Sequence, residues 1–156
     1  MATQKYVAGT IGLTWATAGF STELNSLASG NAVMAASALD NSSNLDLFFD
    51  LSISLGSVTS GANAPYIGIY LYPLNQDGTS YGDGKFGSAA AGPPAATYFV
   101  GTIIVPASTT AVMTGMIQGI PMPPASFKLV LYNGAGVAMA ASSNTVKYRT
   151  YNYAVA

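Results

Sequence analysis

Leu45-Asp46-Leu47-Phe48-Phe49-Asp50-Leu51-Ser52-Ile53-Ser54-Leu55 alternates along its whole length. Leu45, Leu47, Phe49, Leu51, Ile53 and Leu55 fall on one parity, and Asp46, Phe48, Asp50, Ser52 and Ser54 fall on the other. A strand turns successive side chains to opposite faces, so this pattern predicts a half-buried strand over 45–55. Wound as a helix, the same six apolar residues would scatter around the axis instead of forming one stripe.

The pattern recurs on both sides of this stretch. Over 66–72, Ile67, Ile69 and Leu71 share one face and Tyr66, Tyr70 and Tyr72 the other. Over 126–132, Phe127, Leu129 and Leu131 oppose Lys128, Val130 and Tyr132. Residues 97–105 and 110–120 are β-branched runs punctuated by Gly, and 8–15 and 31–39 also read as strands. The last strand, 145–155, has an irregular parity. Val146 and Tyr148 oppose Lys147 and Arg149, yet Tyr151 and Tyr153 join the charged face. Either a bulge near Thr150 corrects the register or these tyrosines point outward.

Turn formers separate the runs: Asn41-Ser42-Ser43-Asn44, Asn75-Gln76-Asp77-Gly78, Gly82-Asp83-Gly84 and Asn133-Gly134. The last reads as a tight hairpin. Residues 87–96 read as a flexible surface loop and 21–28 as one short helical turn. The expectation is a single all-β domain over 1–156. It is a β-sandwich or jelly roll of about eight or nine strands, with residues 1–6 as an N-terminal arm.

Composition removes much chemistry. The chain of 156 residues has no Cys and no His, which excludes disulfides, thiolate sites, His general bases and Ser-His-Asp triads. Charged residues make up 7% of the chain, against about 25% in ordinary domains. Net charge is −1, so copies repel one another weakly. This composition suits a surface covered by neighbours or a neutral polar skin. The basic residues Lys5, Lys85, Lys128, Lys147 and Arg149 are scattered and form no phosphate-tracking stripe, so nucleic acid is not an expected partner. Lys147 and Arg149 read as the solvated face of one strand. No signal peptide is legible at the start. The uncharged stretch 86–127 is broken by prolines and does not read as a membrane span.

Two constellations invite a chemical test. Asp46 and Asp50 share one strand face, roughly 13 Å apart at about 3.3 Å per residue. That separation exceeds what paired glycosidase carboxylates need. They are expected as solvated strand charges. In the loop 75–84, Asn75, Asp77, Thr79 and Asp83 offer oxygens to a calcium ion, but the spacing is not that of an EF-hand and turn formation explains it more simply. No cofactor and no enzymatic activity are expected. Trp15, the only Trp, is expected to pack in the core, with ligand stacking as the second reading. Tyrosines on a weakly polar face suit a protein interface, because Tyr supplies contact area at small entropic cost; they equally suit sugar binding, or an ordinary sandwich in which both strand faces are covered. Tyr6, Tyr66, Tyr70, Tyr72, Tyr151 and Tyr153 are the interface candidates.

The run Ile69-Tyr70-Leu71-Tyr72-Pro73-Leu74-Asn75-Gln76-Asp77-Gly78-Thr79-Ser80-Tyr81-Gly82-Asp83-Gly84 resembles a strand followed by DGT-x-Y-x-DG in small β-rich structural proteins of tailed phages and prophages. Leu24-Asn25-Ser26-Leu27-Ala28-Ser29-Gly30, Ala38-Leu39-Asp40-Asn41 and the strand 45–55 are similar to the same group, so the likeness covers roughly residues 20–85. The resemblance implies a virion component, either a capsid decoration (cement) protein or a minor tail protein. It implies no catalytic residues. The expected partners of a cement protein are the major capsid protein and neighbouring copies of itself, as a homotrimer on the capsid surface, after synthesis in the host cytoplasm. No membrane partner is expected. The alternative is a carbohydrate- or receptor-binding module of a tail or fibre.

Overall fold

The computed structural model describes residues 4–57, 65–105 and 113–155. Its strands are β1 (Gln4–Ala8), β2 (Ala16–Thr17), β3 (Asn31–Met34), β4 (Leu39–Asp40), β5 (Phe48–Leu55), β6 (Tyr66–Pro73), β7 (Ala90–Ala91), β8 (Phe99–Ile104), β9 (Met113–Pro121), β10 (Ser126–Gly134) and β11 (Thr145–Val155). They form two antiparallel sheets. The first runs β1-β11-β5-β9, with β2 added on β11, and the second runs β7-β3-β10-β6-β8, with β4 added on β10. The chain is a β-sandwich, and β2, β4 and β7 are two-residue additions to eight longer strands.

The alternation read in the sequence builds the interior. Phe49, Leu51, Ile53 and Leu55 from β5 meet Ile67 and Ile69 from β6 and Phe127, Leu129 and Leu131 from β10, all buried in one cluster between the sheets. The Phe49 and Phe127 rings lie 5.6 Å apart across the layers. Burying each such side chain contributes about 1.5–3 kcal/mol, which makes this inter-sheet layer the main source of cohesion.

Several local expectations are corrected. The strand expected over 45–55 begins at Phe48. Leu45 has φ +52° and is 56% exposed, and Leu47 is 50% exposed, so neither enters the core. The cause is Asn41, whose side chain accepts from Asp46 N at 2.8 Å and donates to Asp46 O at 2.9 Å. An amide side chain satisfies the backbone there, in place of a neighbouring strand. Residues 9–15 leave the sheet after β1 in turns, and 21–28 forms successive turns rather than a helix. Gln4 to Tyr6 pair with Val155 to Tyr153, so these residues of the expected arm are sheet; residues 1–3 lie outside the described residues.

Asn133-Gly134 is not a hairpin turn. It ends β10, paired with Ile67 and Tyr66 of β6. The buried Asn133 side chain donates to Leu27 O and Val137 O and accepts from Ala135 N, tying three segments together. In β11 the register against β5 is unbroken from Thr145 to Tyr151, so no bulge relieves the parity there and the tyrosines do point outward. The irregularity sits on the other side of β5, where Phe49 and Leu51 face Ile120 and Ile117. The extra residue in β9 is accommodated by Gly119 at φ +73°.

Candidate functional site

The outer face of the first sheet follows directly from the pairing register. Arg149 lies opposite Asp50, Tyr151 opposite Phe48, and Tyr153 opposite Tyr6. With a period of two, all six side chains share one face. Their rings form a continuous cluster. Tyr6 lies 4.8 Å from Tyr153 and 5.4 Å from Tyr151, and Phe48 lies 5.1 Å from Tyr153 and 5.6 Å from Tyr151. The Tyr153 hydroxyl donates to the Tyr6 hydroxyl at 3.2 Å. Tyr6 is 67% exposed and Tyr153 44% exposed, so this apolar area faces solvent.

Beside the rings sits an ion pair. Arg149 Nε and Nη2 each lie 2.9 Å from Asp50 Oδ2. Asp50 Oδ1 accepts from Gly119 N at 3.0 Å, so the bulge in β9 delivers a backbone donor to the carboxylate. The Arg149 guanidinium also lies over the Trp15 ring, 4.9 Å from its centroid. Trp15 is therefore a half-buried platform for a cation on the outer face, not the core residue expected. Arg149 is half-buried too, which corrects its reading as a solvated strand charge. Burial pushes the Tyr151 phenol up from its ordinary value, and the neighbouring Asp50 carboxylate adds to the shift.

A groove of about 480 Å³ opens on this face, lined by Tyr6, Leu13, Tyr151, Gln118 and the Asp50–Arg149 pair. That volume falls within the range of about 300–1,000 Å³ typical of ligand sites. Aromatic walls and fixed polar groups suit binding through stacking and hydrogen bonding.

The other tyrosines are placed differently. Tyr70 and Tyr72 do lie on the outer face of the second sheet, but they are buried and do not serve as surface contacts. Segment 86–98, which contains the expected surface loop 87–96, covers them through Phe86, Ala90 and Tyr98. Phe86 O accepts from Met34 N at 2.7 Å, Gly92 N donates to Gly30 O at 2.8 Å, and β7 pairs with β3. Phe86, Met34 and Val130 then close a second apolar cluster over Tyr70 and Tyr72, with Tyr98 4.4 Å from Tyr72. Burial pushes both phenols up from their ordinary range. Tyr66 is half-buried, 5.8 Å from Tyr132. The six interface candidates thus divide: Tyr6, Tyr151 and Tyr153 converge, while Tyr66, Tyr70 and Tyr72 belong to the opposite sheet.

The carboxylates are engaged in structure. Asp46 and Asp50, expected as solvated charges, are buried. Asp46 accepts from Thr10 N at 2.9 Å and from Asn152 Nδ2 at 2.8 Å. Burial opposes its ionisation, but these donors outweigh burial and hold its pKa below the ordinary value. In the 75–84 loop, Asp77 accepts from the Ser80 hydroxyl and from the backbone N–H groups of Ser80 and Thr79. The Ser80 hydroxyl leads in lowering its pKa to about 2. Asn75 donates to Ser80 and Gly82, and Asp83 accepts from Lys85 N. The oxygens considered for calcium are arranged as turn acceptors. No cluster of three acidic side chains suited to a metal occurs among the described residues.

The groove residues Gln118 and Leu13 were not legible as site residues. Phe48 carried a signal, since it is an aromatic residue on the polar parity of its strand. No protein-family model matches the chain, and no curated protein matches it. Among the described residues no helix is long and apolar enough to cross a membrane.

Proposed function

We propose that this chain is a virion structural protein, a capsid decoration (cement) protein that docks on the outer surface of a phage capsid. The observation that carries the reading is the cluster of Tyr6, Phe48, Tyr151 and Tyr153 on the outer sheet face, with Tyr6 and Tyr153 exposed. Aromatic residues on a flat, weakly charged surface supply the buried centre of protein interfaces. The strand order supports a jelly-roll reading. With the eight longer strands taken in chain order, one sheet holds the first, eighth, third and sixth, and the other the second, seventh, fourth and fifth. That architecture recurs in viral capsid domains and in lectins. The phage resemblance and the charge content of 7% point the same way. The partners are then the major capsid protein and further copies of this chain, with a trimer matching local threefold positions.

Co-sedimentation with undecorated capsid shells tests the reading, with mass photometry of the free protein alongside. Saturable binding at a fixed copy number, lost in the Tyr6→Ser/Tyr153→Ser double variant, is the expected result. Failure of the folded protein to bind shells would overturn it. The aromatic groove favours a second reading, a carbohydrate- or receptor-binding module of a tail or fibre, because lectins also use jelly rolls and fold does not fix function.

A further inference from the structure

We propose that the groove in the outer face of the first sheet binds an extended, uncharged, proline-rich polypeptide segment. This rests on the docking reading and names the chemistry of the segment that the partner inserts.

Asp50 is the only carboxylate lining the groove among the described residues; its oxygens accept from Arg149 Nε and Gly119 N, and Arg149 Nη2 pairs with it at 2.9 Å. It is 3% exposed, so it has little reach toward a ligand. Arg149 is better placed. Its guanidinium carries five N–H bonds in a planar fork, only Nε and Nη2 engage Asp50, and its side chain is 29% exposed. Nη1 has no protein acceptor among the described residues. Gln118 is exposed on β9 and adds an amide. Among the lining side chains of the described residues, donors therefore outnumber acceptors, which are the Gln118 amide oxygen and the tyrosine hydroxyls.

The matching ligand presents carbonyl oxygens and few N–H groups. Proline has a carbonyl and no N–H. A proline-rich segment in the polyproline II conformation presents its carbonyls to solvent without internal hydrogen bonds and loses little entropy on binding. Its rings pack on aromatic walls, which Tyr6 and Tyr151 supply. The charge balance agrees: Asp50 and Arg149 neutralise each other, so the groove has no net attraction for a charged peptide. A regular β-strand brings one N–H for every carbonyl, and those N–H groups find few partners here; the hydroxyls of a sugar both donate and accept, so a neutral oligosaccharide is the competing ligand in the test.

Trp15 reports on the site because it is the only Trp and lies beneath the Arg149 guanidinium. The full-length protein is titrated with a capped Pro-Pro-Ala repeat and with a Gly-Ser-Ala repeat of equal length, following Trp fluorescence and amide NMR shifts. Saturable changes with the proline peptide, at least tenfold weaker with Gly-Ser-Ala, are expected. Tyr151→Ala and Gln118→Ala should weaken binding at least tenfold, and Thr102→Ala, on the second sheet, should leave it unchanged. No saturable response to the proline peptide at millimolar concentration, or an equal response to both peptides, overturns the inference. A response to a neutral oligosaccharide such as cellohexaose without one to the peptide also overturns it and assigns the groove to glycans. Shell binding is read separately. Docking without peptide binding sinks this inference alone, and peptide binding without docking sinks the capsid reading alone.

Discussion

Replacing Asn133 with Ala should cost far more than its turn-like sequence context suggests. Asn133 is fully buried, and its side chain makes three hydrogen bonds: to Leu27 O at 2.8 Å, to Val137 O at 2.9 Å, and from Ala135 N at 3.0 Å. The Ala variant takes from Val137 O its side-chain donor, removes one of the two donors on Leu27 O, which keeps Met139 N at 2.9 Å, and takes the Asn133 acceptor from Ala135 N. A stranded buried group costs about 1–3 kcal/mol, with carbonyls at the low end because they hold a second lone pair. One carbonyl left without its donor and two further hydrogen bonds lost sum to about 2–3 kcal/mol, equivalent to a fall in Tm of about 5–10 °C for a chain of this size. Urea unfolding at pH 7 measures it, with a lower midpoint at unchanged slope as the signature. Asn133→Asp keeps the acceptor for Ala135 but turns a carboxylate toward two carbonyls, so it should be at least as damaging. A loss below about 1 kcal/mol in the Ala variant would refute the argument that this side chain holds the loops on the sheet.

Other perturbations probe the site and its supports. Arg149→Met leaves the buried Asp50 carboxylate without its cation and should destabilise the chain by about 2–4 kcal/mol, discounted for the partial exposure of Arg149. Adding Asp50→Asn should recover part of that loss, and a double variant no better than the single one would show that the charge is not the cause. Gly82→Ala forces a Cβ into the Tyr72 ring at φ +55° and should cost about 2–4 kcal/mol by thermal melting. Gly78→Ala, at φ +69° with nothing near its Cβ, should cost only about 1 kcal/mol. Asp46 has a folded pKa below 3.8, so its contribution is complete above the ordinary carboxylate range and is lost as pH falls through the folded value. Asp46→Asn should therefore lower Tm at neutral pH and flatten its decline on acidification; an unchanged acid slope would assign that slope to other groups.

Much of the architecture was readable because a period of two is a local property. Strands β5, β6, β10 and β11 announce themselves by alternation, and their inward residues form the core. The exceptions trace to long-range hydrogen bonding. Leu45 and Leu47 keep the parity of the strand, yet Asn41 caps the segment before the sheet begins. Asn133-Gly134 has turn chemistry, yet Asn133 joins loops that only the folded chain brings within reach. The same holds for the tyrosines. Parity places Tyr66, Tyr70 and Tyr72 on an outer face, but it is silent on whether another segment covers that face.

The sequence by itself determined the all-β class and the inward face of the main strands, because alternation and turn chemistry act within a few residues. It also excluded chemistry needing His or Cys. Only the tertiary structure decided which tyrosines remain accessible, that Asp50 meets Arg149 over Trp15, and that a bulge at Gly119 completes the groove. Those facts depend on register between strands distant in sequence and on segment 86–98 folding over one sheet and not the other. Pairing between distant segments is set by the cooperative burial of the whole core, which no local pattern records.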